Sequence, residues 1–203
     1  MTSIIKVDEI QTKAGAAHTL HGLGVTGSGT VLQEICAVCD GRTVSGITFE
    51  NVTAYQSLTT SHADITGSTV SYTPPAGTKT VVYTFSVHHN ATDNGGISHF
   101  QFNIDGTDVS NHRRTIAGSN QSSAHYETRL FLEYPILIDS TLAADDIANL
   151  KLKSWTSART LKMRAREYNT SYDATVHRNE YWDGSAAGSN DLSIPTLTIK
   201  AIA

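Results

Sequence analysis

Nine histidines are the residues of this sequence best suited to chemistry, because a neutral imidazole ligates metals and titrates near physiological pH. His88-His89-Asn90 is followed by His99, His112 and His125. In an extended chain neighbouring residues point to opposite faces. His88 and His89 therefore cannot both hold one ion without distortion, and His99 or His125 could join one of them only across paired strands. A symmetric trimer would offer another route, one histidine per chain meeting on an axis. We expect histidines held by hydrogen bonds in the core or an interface, with no bound metal and no other cofactor.

Cys36 and Cys39 form a CxxC in QEICAVCD. A four-cysteine zinc site needs a second pair, which the sequence lacks. A redox pair would open a helix, whereas this one lies in a strand-like run. Residues three apart on a strand face opposite ways, so two free thiols of a reducing compartment are expected.

Lys162, Arg164 and Arg166 share one face of an alternating run, and Lys151 and Lys153 are candidates to lie beside them. They would form either an anion or acidic-glycan patch or a solvated outer face. With Leu161, Met163 and Ala165 on the other side, the solvated face is the expectation. Tyr168, Tyr172, His177, Tyr181 and Trp182 are interleaved with Asn, Ser and Gly toward the C-terminus. That mixture makes adaptable contact surfaces, so Tyr172, His177, Tyr181 and Trp182 are candidate receptor or partner contacts. The same aromatics could instead pack over the open end of a sandwich. No GxSxG, P-loop, HExxH or GxGxxG in a βαβ setting occurs, and Asp139 and Asp145-Asp146 sit in a turn. An enzyme is not expected.

The elements that must position these residues are strands. From Lys79 onward Val81, Tyr83, Phe85 and Val87 alternate with Val82, Thr84, Ser86 and His88, the pattern of a strand packed on one side. Ile65–Tyr72 precedes it across Pro74-Pro75-Ala76-Gly77, and Thr69 to Asn90 reads as a hairpin. Further candidates are Thr30–Asp40, Arg42–Asn51, Tyr55–Ser61, Ser98–Asp105 turning at Asp105-Gly106 toward Val109–Ile116, Ala124–Ile138 bent at Pro135, a hairpin of Ala148–Trp155 with Thr160–Tyr168, Val176–Trp182, and Leu192–Ile202. Many short strands with turn signals between them predict an all-β antiparallel sandwich over residues 30–203.

Charged residues make up 17% of the chain, below the roughly 25% of ordinary domains, as suits strands and turns. A net charge of -4 gives no reason to expect nucleic acid or an anionic membrane as partner. Lys6, Asp8 and Glu9 interrupt the N-terminus where a signal peptide needs an apolar run, so neither Sec export nor membrane insertion is expected. Ile4, Ile5, Val7 and Ile10 form a short apolar arm, and 13–29 is an aperiodic linker rich in Gly, Ala and Thr. An isolated strand is unstable alone, so the arm of the 1–29 segment is expected to dock on another surface.

SIIKVDEIQTKAG resembles the opening of small virion proteins of tailed phages, cyanophages and related marine phages especially. ITGSTVSYTPPAGTKTVVYTFSV, FNIDGTDV, RNEYWDGS and PTLTIKAIA resemble the C-terminal domains of their tail-fibre and structural proteins. The resemblance implies a jelly-roll or tumour-necrosis-factor-like sandwich, a homotrimer, and an arm that binds another virion protein of the tail or capsid. It implies a short tail fibre or fibre tip, located in the virion and assembled in the host bacterial cytoplasm, contacting a host-surface glycan. A capsid decoration protein is the alternative. A glycan-active depolymerase is a third, and it would need two close carboxylates in a cleft.

Overall fold

The computed structural model describes residues 28–91, 96–117, 126–171, 173–180 and 191–203. The arm residues Ile4, Ile5, Val7 and Ile10 lie outside the described residues, as do Tyr172, Tyr181, Trp182 and His125. Among those described, the strands in chain order are β1 (Val31–Val38), β2 (Thr43–Val44), β3 (Ile47–Thr48), β4 (Gln56–Ser57), β5 (Ala63–Asp64), β6 (Val70–Tyr72), β7 (Thr80–Ala91), β8 (Ile97–Ile104), β9 (Thr107–Asp108), β10 (Arg114–Ala117), β11 (Tyr126–Ile138), β12 (Lys151–Leu152), β13 (Arg159–Glu167), β14 (Ala174–Val176) and β15 (Thr196–Ile202). The fold is an all-β sandwich. Its first sheet runs β1-β15-β7-β11-β12, with β14 and β4 added beside β7. Its second runs β10-β8-β13-β5, joined by β6 and β9. All pairings are antiparallel except β11 with β12.

Alternation decides which face of each strand is buried. Val81, Tyr83, Phe85 and Val87 of β7 are all fully buried, as are Phe100, Phe102 and Ile104 of β8 and Leu161, Met163 and Ala165 of β13. Phe102 crosses the gap between the sheets. It stacks on Tyr134 at 4.6 Å between ring centroids, and it lies 4.8 Å from Tyr83. Tyr83 and Tyr134 are themselves opposite each other on β7 and β11. The Tyr83 hydroxyl donates to the Ser68 carbonyl at 2.7 Å, so this buried hydroxyl is paired.

Three connections differ from the local sequence signals. β6 pairs with β13 in the second sheet, whereas β7 belongs to the first. Pro74-Pro75 with Gly77 (φ 89°) thus carries the chain from one sheet to the other instead of closing a hairpin. β12 and β13 likewise lie in different sheets, so Lys151 and Lys153 are not beside Lys162. β11 continues straight through Pro135, which stays in register with Val82. β12 borders β11 only at Leu137 and Ile138, so the missing N–H of Pro135 falls on an open edge, where proline is tolerated. The Asp105-Gly106 turn is as expected, both residues having positive φ (51° and 85°). Cys36 is exposed and Cys39 buried, and both are free thiols. Burial pushes the Cys39 thiol up to about 12.

Gly67 closes the junction between the sheets near Val52 and Pro195. Its φ is +85°, and a Cβ there would lie 2.6 Å from Val52 Cγ2 and 3.0 Å from Pro195 Cγ. Gly67→Ala is therefore expected to destabilise the domain by about 2 kcal/mol or more, through left-handed strain and overpacking together. A lower urea midpoint at unchanged slope is the expected result; an unchanged midpoint would contradict it.

Candidate functional site

The outer face of the second sheet carries the densest set of functional side chains among the described residues. Alternation that buries Leu161, Met163 and Ala165 turns Lys162, Arg164 and Arg166 outward. Register then sets Arg166 opposite His99 and His99 opposite Thr115. His62 extends this row on the far side, because it precedes Ala63, the partner of Ala165. A concavity of about 510 Å³ lies over the row, walled by His62, His99, Gln101, Asp108, Arg113 and Arg166.

Its charges are unevenly matched. Lys162 Nζ reaches Asp64 at 2.6 Å, and Arg164 spans Asp64 at 3.4 Å and Asp108 at 3.1 Å. Asp108 also accepts from Asn103 Nδ2 at 2.7 Å. Against the upward pull of burial, Asn103 and Arg164 hold the Asp108 carboxyl below its usual range. Arg166 and Arg113 have no carboxylate partner among the described residues. The one side-chain hydrogen bond described for Arg166 goes to the Glu167 carbonyl at 3.5 Å. His99 Nδ1 bonds Thr115 Oγ1 at 3.1 Å, while its Nε2 is buried without a partner. Burial and then the positive charge of Arg166 push both His62 and His99 below the ordinary imidazole value. The walls thus present donors to a site whose one carboxylate is already engaged.

A second constellation sits at the root of the C-terminal loop. Asn90, fully buried on β7, donates to Glu127 Oε1 at 2.6 Å and to Glu180 Oε2 at 3.3 Å. Arg178 pairs with Glu180 at 3.4 Å and with Asp191 at 3.0 Å, and its guanidinium lies 5.0 Å from the Tyr55 ring centre. Asn179 N–H donates to the Asp191 carbonyl at 2.7 Å. Residues 178–180 and 191–192 are thereby drawn together into a neck.

Of the aromatic set singled out in the sequence as contacts, His177 is the described member, and it is inside the protein. Its side chain is fully buried and meets Phe85 edge-on at 6.5 Å. Its backbone has φ of 68°, and its N–H donates to the His88 carbonyl at 2.8 Å. It packs the root of the loop and touches no solvent. His88 and His89 point to opposite faces, as alternation requires. His89 is fully buried against Ser98 Oγ at 2.9 Å, and His88 faces Glu127 at 3.9 Å. Among the described residues no three His, Cys, Asp or Glu side chains gather in metal-binding geometry. Sequence inspection missed His62 and Arg113 as neighbours of Arg166, and Arg178, Glu180 and Asp191 as the neck; only strand register reveals the first group.

No protein-family description matches the chain, and no curated protein is similar to it. Among solved structures it is similar to the EclA C-terminal domain, a sugar-binding protein, at 14% identity and TM-score 0.31, over 62% of this chain and 74% of that one. It is also similar to latent PorU of Porphyromonas gingivalis (13%, TM-score 0.32, 66% of this chain and 10% of that one). A third likeness is to a chain of infectious bursal disease virus, Gx strain (11%, TM-score 0.27, 77% and 38%). The matched part is thus a small fraction of PorU and well under half of the viral chain. At these TM-scores the likenesses carry no argument, and function is argued below from this chain's own residues.

Burial holds the imidazoles of His89 and His177 down at about 4. For His89 the charge of His88 adds to the effect, and for His177 the Thr66 backbone opposes it. Both are neutral in the folded state, whereas unfolded histidine titrates near pH 6.5. The unfolded chain therefore binds more protons between these values, and stability is lost as pH falls from about 6.5 toward 4. The expected loss by pH 5 is about 2 kcal/mol per histidine. Urea unfolding at pH 7 and pH 5 measures it. His177→Asn, which tolerates positive φ, is expected to reduce the pH dependence; an unaltered dependence would contradict the assignment.

Proposed function

We propose that this chain is a structural virion protein of a tailed bacteriophage. It acts as a homotrimeric short tail fibre or fibre-tip protein, attached to another virion protein through its N-terminal arm and contacting a host-surface glycan. One observation carries the reading: Gly29 and Thr30, which follow the N-terminal segment, and the neck of Arg178, Glu180 and Asp191 lie at opposite ends of the domain. Gly29 N–H donates to the Ala203 carbonyl at 2.8 Å and Ala203 N–H to the Thr30 carbonyl at 2.9 Å. Lys79 joins the same end through the Ile202 carbonyl at 2.7 Å. Ala91, Tyr126, Ile97, Ala117 and the neck of Arg178, Glu180 and Asp191 all lie at the opposite end, as the registers of β7, β8, β10, β11 and β14 require. A domain so arranged separates an attachment point from a contact surface.

Two further features support it. At the arm-exit end a cavity of about 460 Å³ opens between the Pro74-Pro75 turn, Ile138 and Trp155, suited to apolar groups of a partner. The outer face of the first sheet presents Phe131, 66% exposed, and Leu137 among Arg129, Glu133 and Lys200, a mixed apolar and charged surface suited to self-association. In this reading the protein acts by binding.

Deletion of residues 1–12 tests the attachment. The expected product is a folded, soluble domain, trimeric by sedimentation, that no longer incorporates into particles; normal incorporation would contradict the anchoring role. Copy number in wild-type particles separates tail from capsid, a few trimers being expected for a fibre and hundreds of chains for a decoration protein.

A further inference from the structure

We propose that the concavity on the outer face of the second sheet binds an oxyanion, the sulfate or carboxylate group of an acidic polysaccharide. Arg166 and Arg113 are the charged donors, and His99 and His62 flank them. The inference rests on the glycan-contact part of the function proposed above and gives that contact a chemical class and a place.

Three observations carry it. First, this face matches its other cations individually, Lys162 with Asp64 and Arg164 with Asp64 and Asp108, yet leaves Arg166 and Arg113 without a carboxylate among the described residues. A guanidinium offers a planar fork of donors that fits sulfate and carboxylate oxygens; Arg166, half-buried without a counterion, has donors to fill, and Arg113 is exposed at the rim. Second, His99 has one ring nitrogen fixed by Thr115 and the other buried without a partner in the same wall. When Thr115 Oγ1 donates to Nδ1, Nε2 carries the proton, an unfilled donor on a residue of the wall. Third, the one carboxylate in the wall, Asp108, is already covered by Arg164 and Asn103, so its repulsion of an incoming anion is muted. The volume, about 510 Å³, exceeds what a bare ion fills and lies in the range of sites that hold a sugar-sized group.

The test uses the full purified chain and follows the His62 and His99 ring resonances by NMR during titration. The probes are a sulfated oligosaccharide, an oligogalacturonate, a neutral oligosaccharide of the same length, and inorganic sulfate. Saturable shifts with the two acidic oligosaccharides, weakening with added salt, are expected, with none from the neutral one. Arg166→Gln should weaken binding about tenfold or more, whereas Lys162→Gln, outside the concavity, should leave it unchanged. If Arg166→Gln does not give a wild-type circular dichroism spectrum, Arg113→Gln takes its place. No shift with either acidic oligosaccharide, a shift that survives the arginine substitution, or an equal response to inorganic sulfate would overturn the proposal. Because no particle is involved, failure here is distinct from failure of the virion role, which the arm deletion tests.

Discussion

The contact on which this structure depends is that of Phe102 with Tyr134 and Tyr83. One ring from the second sheet lies against two cross-strand tyrosines of the first. Removing any of the three would leave a cavity between the sheets, a change that costs roughly 3–5 kcal/mol for a large aromatic. The Tyr83 hydroxyl extends the contact by bonding the Ser68 carbonyl, and Ser68 Oγ in turn accepts from the Met163 N–H at 3.0 Å. The aromatic layer thus fixes β13 as well, and with β13 the outward direction of Lys162, Arg164 and Arg166. The cationic row exists on the surface because its alternate residues are held in the core.

The same packing makes the domain two-ended. β7 and β11 run together over twelve paired positions, from Thr80 and Leu137 at the arm-exit end to Ala91 and Tyr126 at the other. So long a pair in continuous register makes a stiff spine. At the far end the neck of Arg178, Glu180 and Asp191 holds 178–180 beside 191–192, from which the chain runs on to β15. Asn90 is the buried polar group that binds this neck to the spine, since its amide serves Glu127 and Glu180 at once.

Most strands were legible in the sequence, whereas their pairing was not. Val81 to Val87 and Leu161 to Ala165 announce their buried faces by alternation, which is a property of each strand alone. Pro74-Pro75-Ala76-Gly77 announces a turn, but a turn within a sheet and a crossing between sheets use the same residues. The choice is made by whether Tyr72 packs beside Trp155, 6.0 Å away edge-on, and no local signal carries that. The candidate site was half visible for the same reason: Arg164 and Arg166 could be placed on one face, but His62 and His99 join them only through register with distant strands. His177 misled in the other direction. A histidine among Tyr, Asn and Ser reads as surface, yet its left-handed backbone turns it in against Phe85.

The central claim is that one end of the sandwich is for attachment and the other for contact. Cryo-electron microscopy of intact particles, at a resolution that orients the sandwich, tests it most directly. The expected result is density for the domain on the particle, with Thr30 and Ala203 facing the virion and the neck of Arg178, Glu180 and Asp191 facing outward. A domain docked the other way round, with the neck against the particle, or particles that carry no such domain, would contradict it.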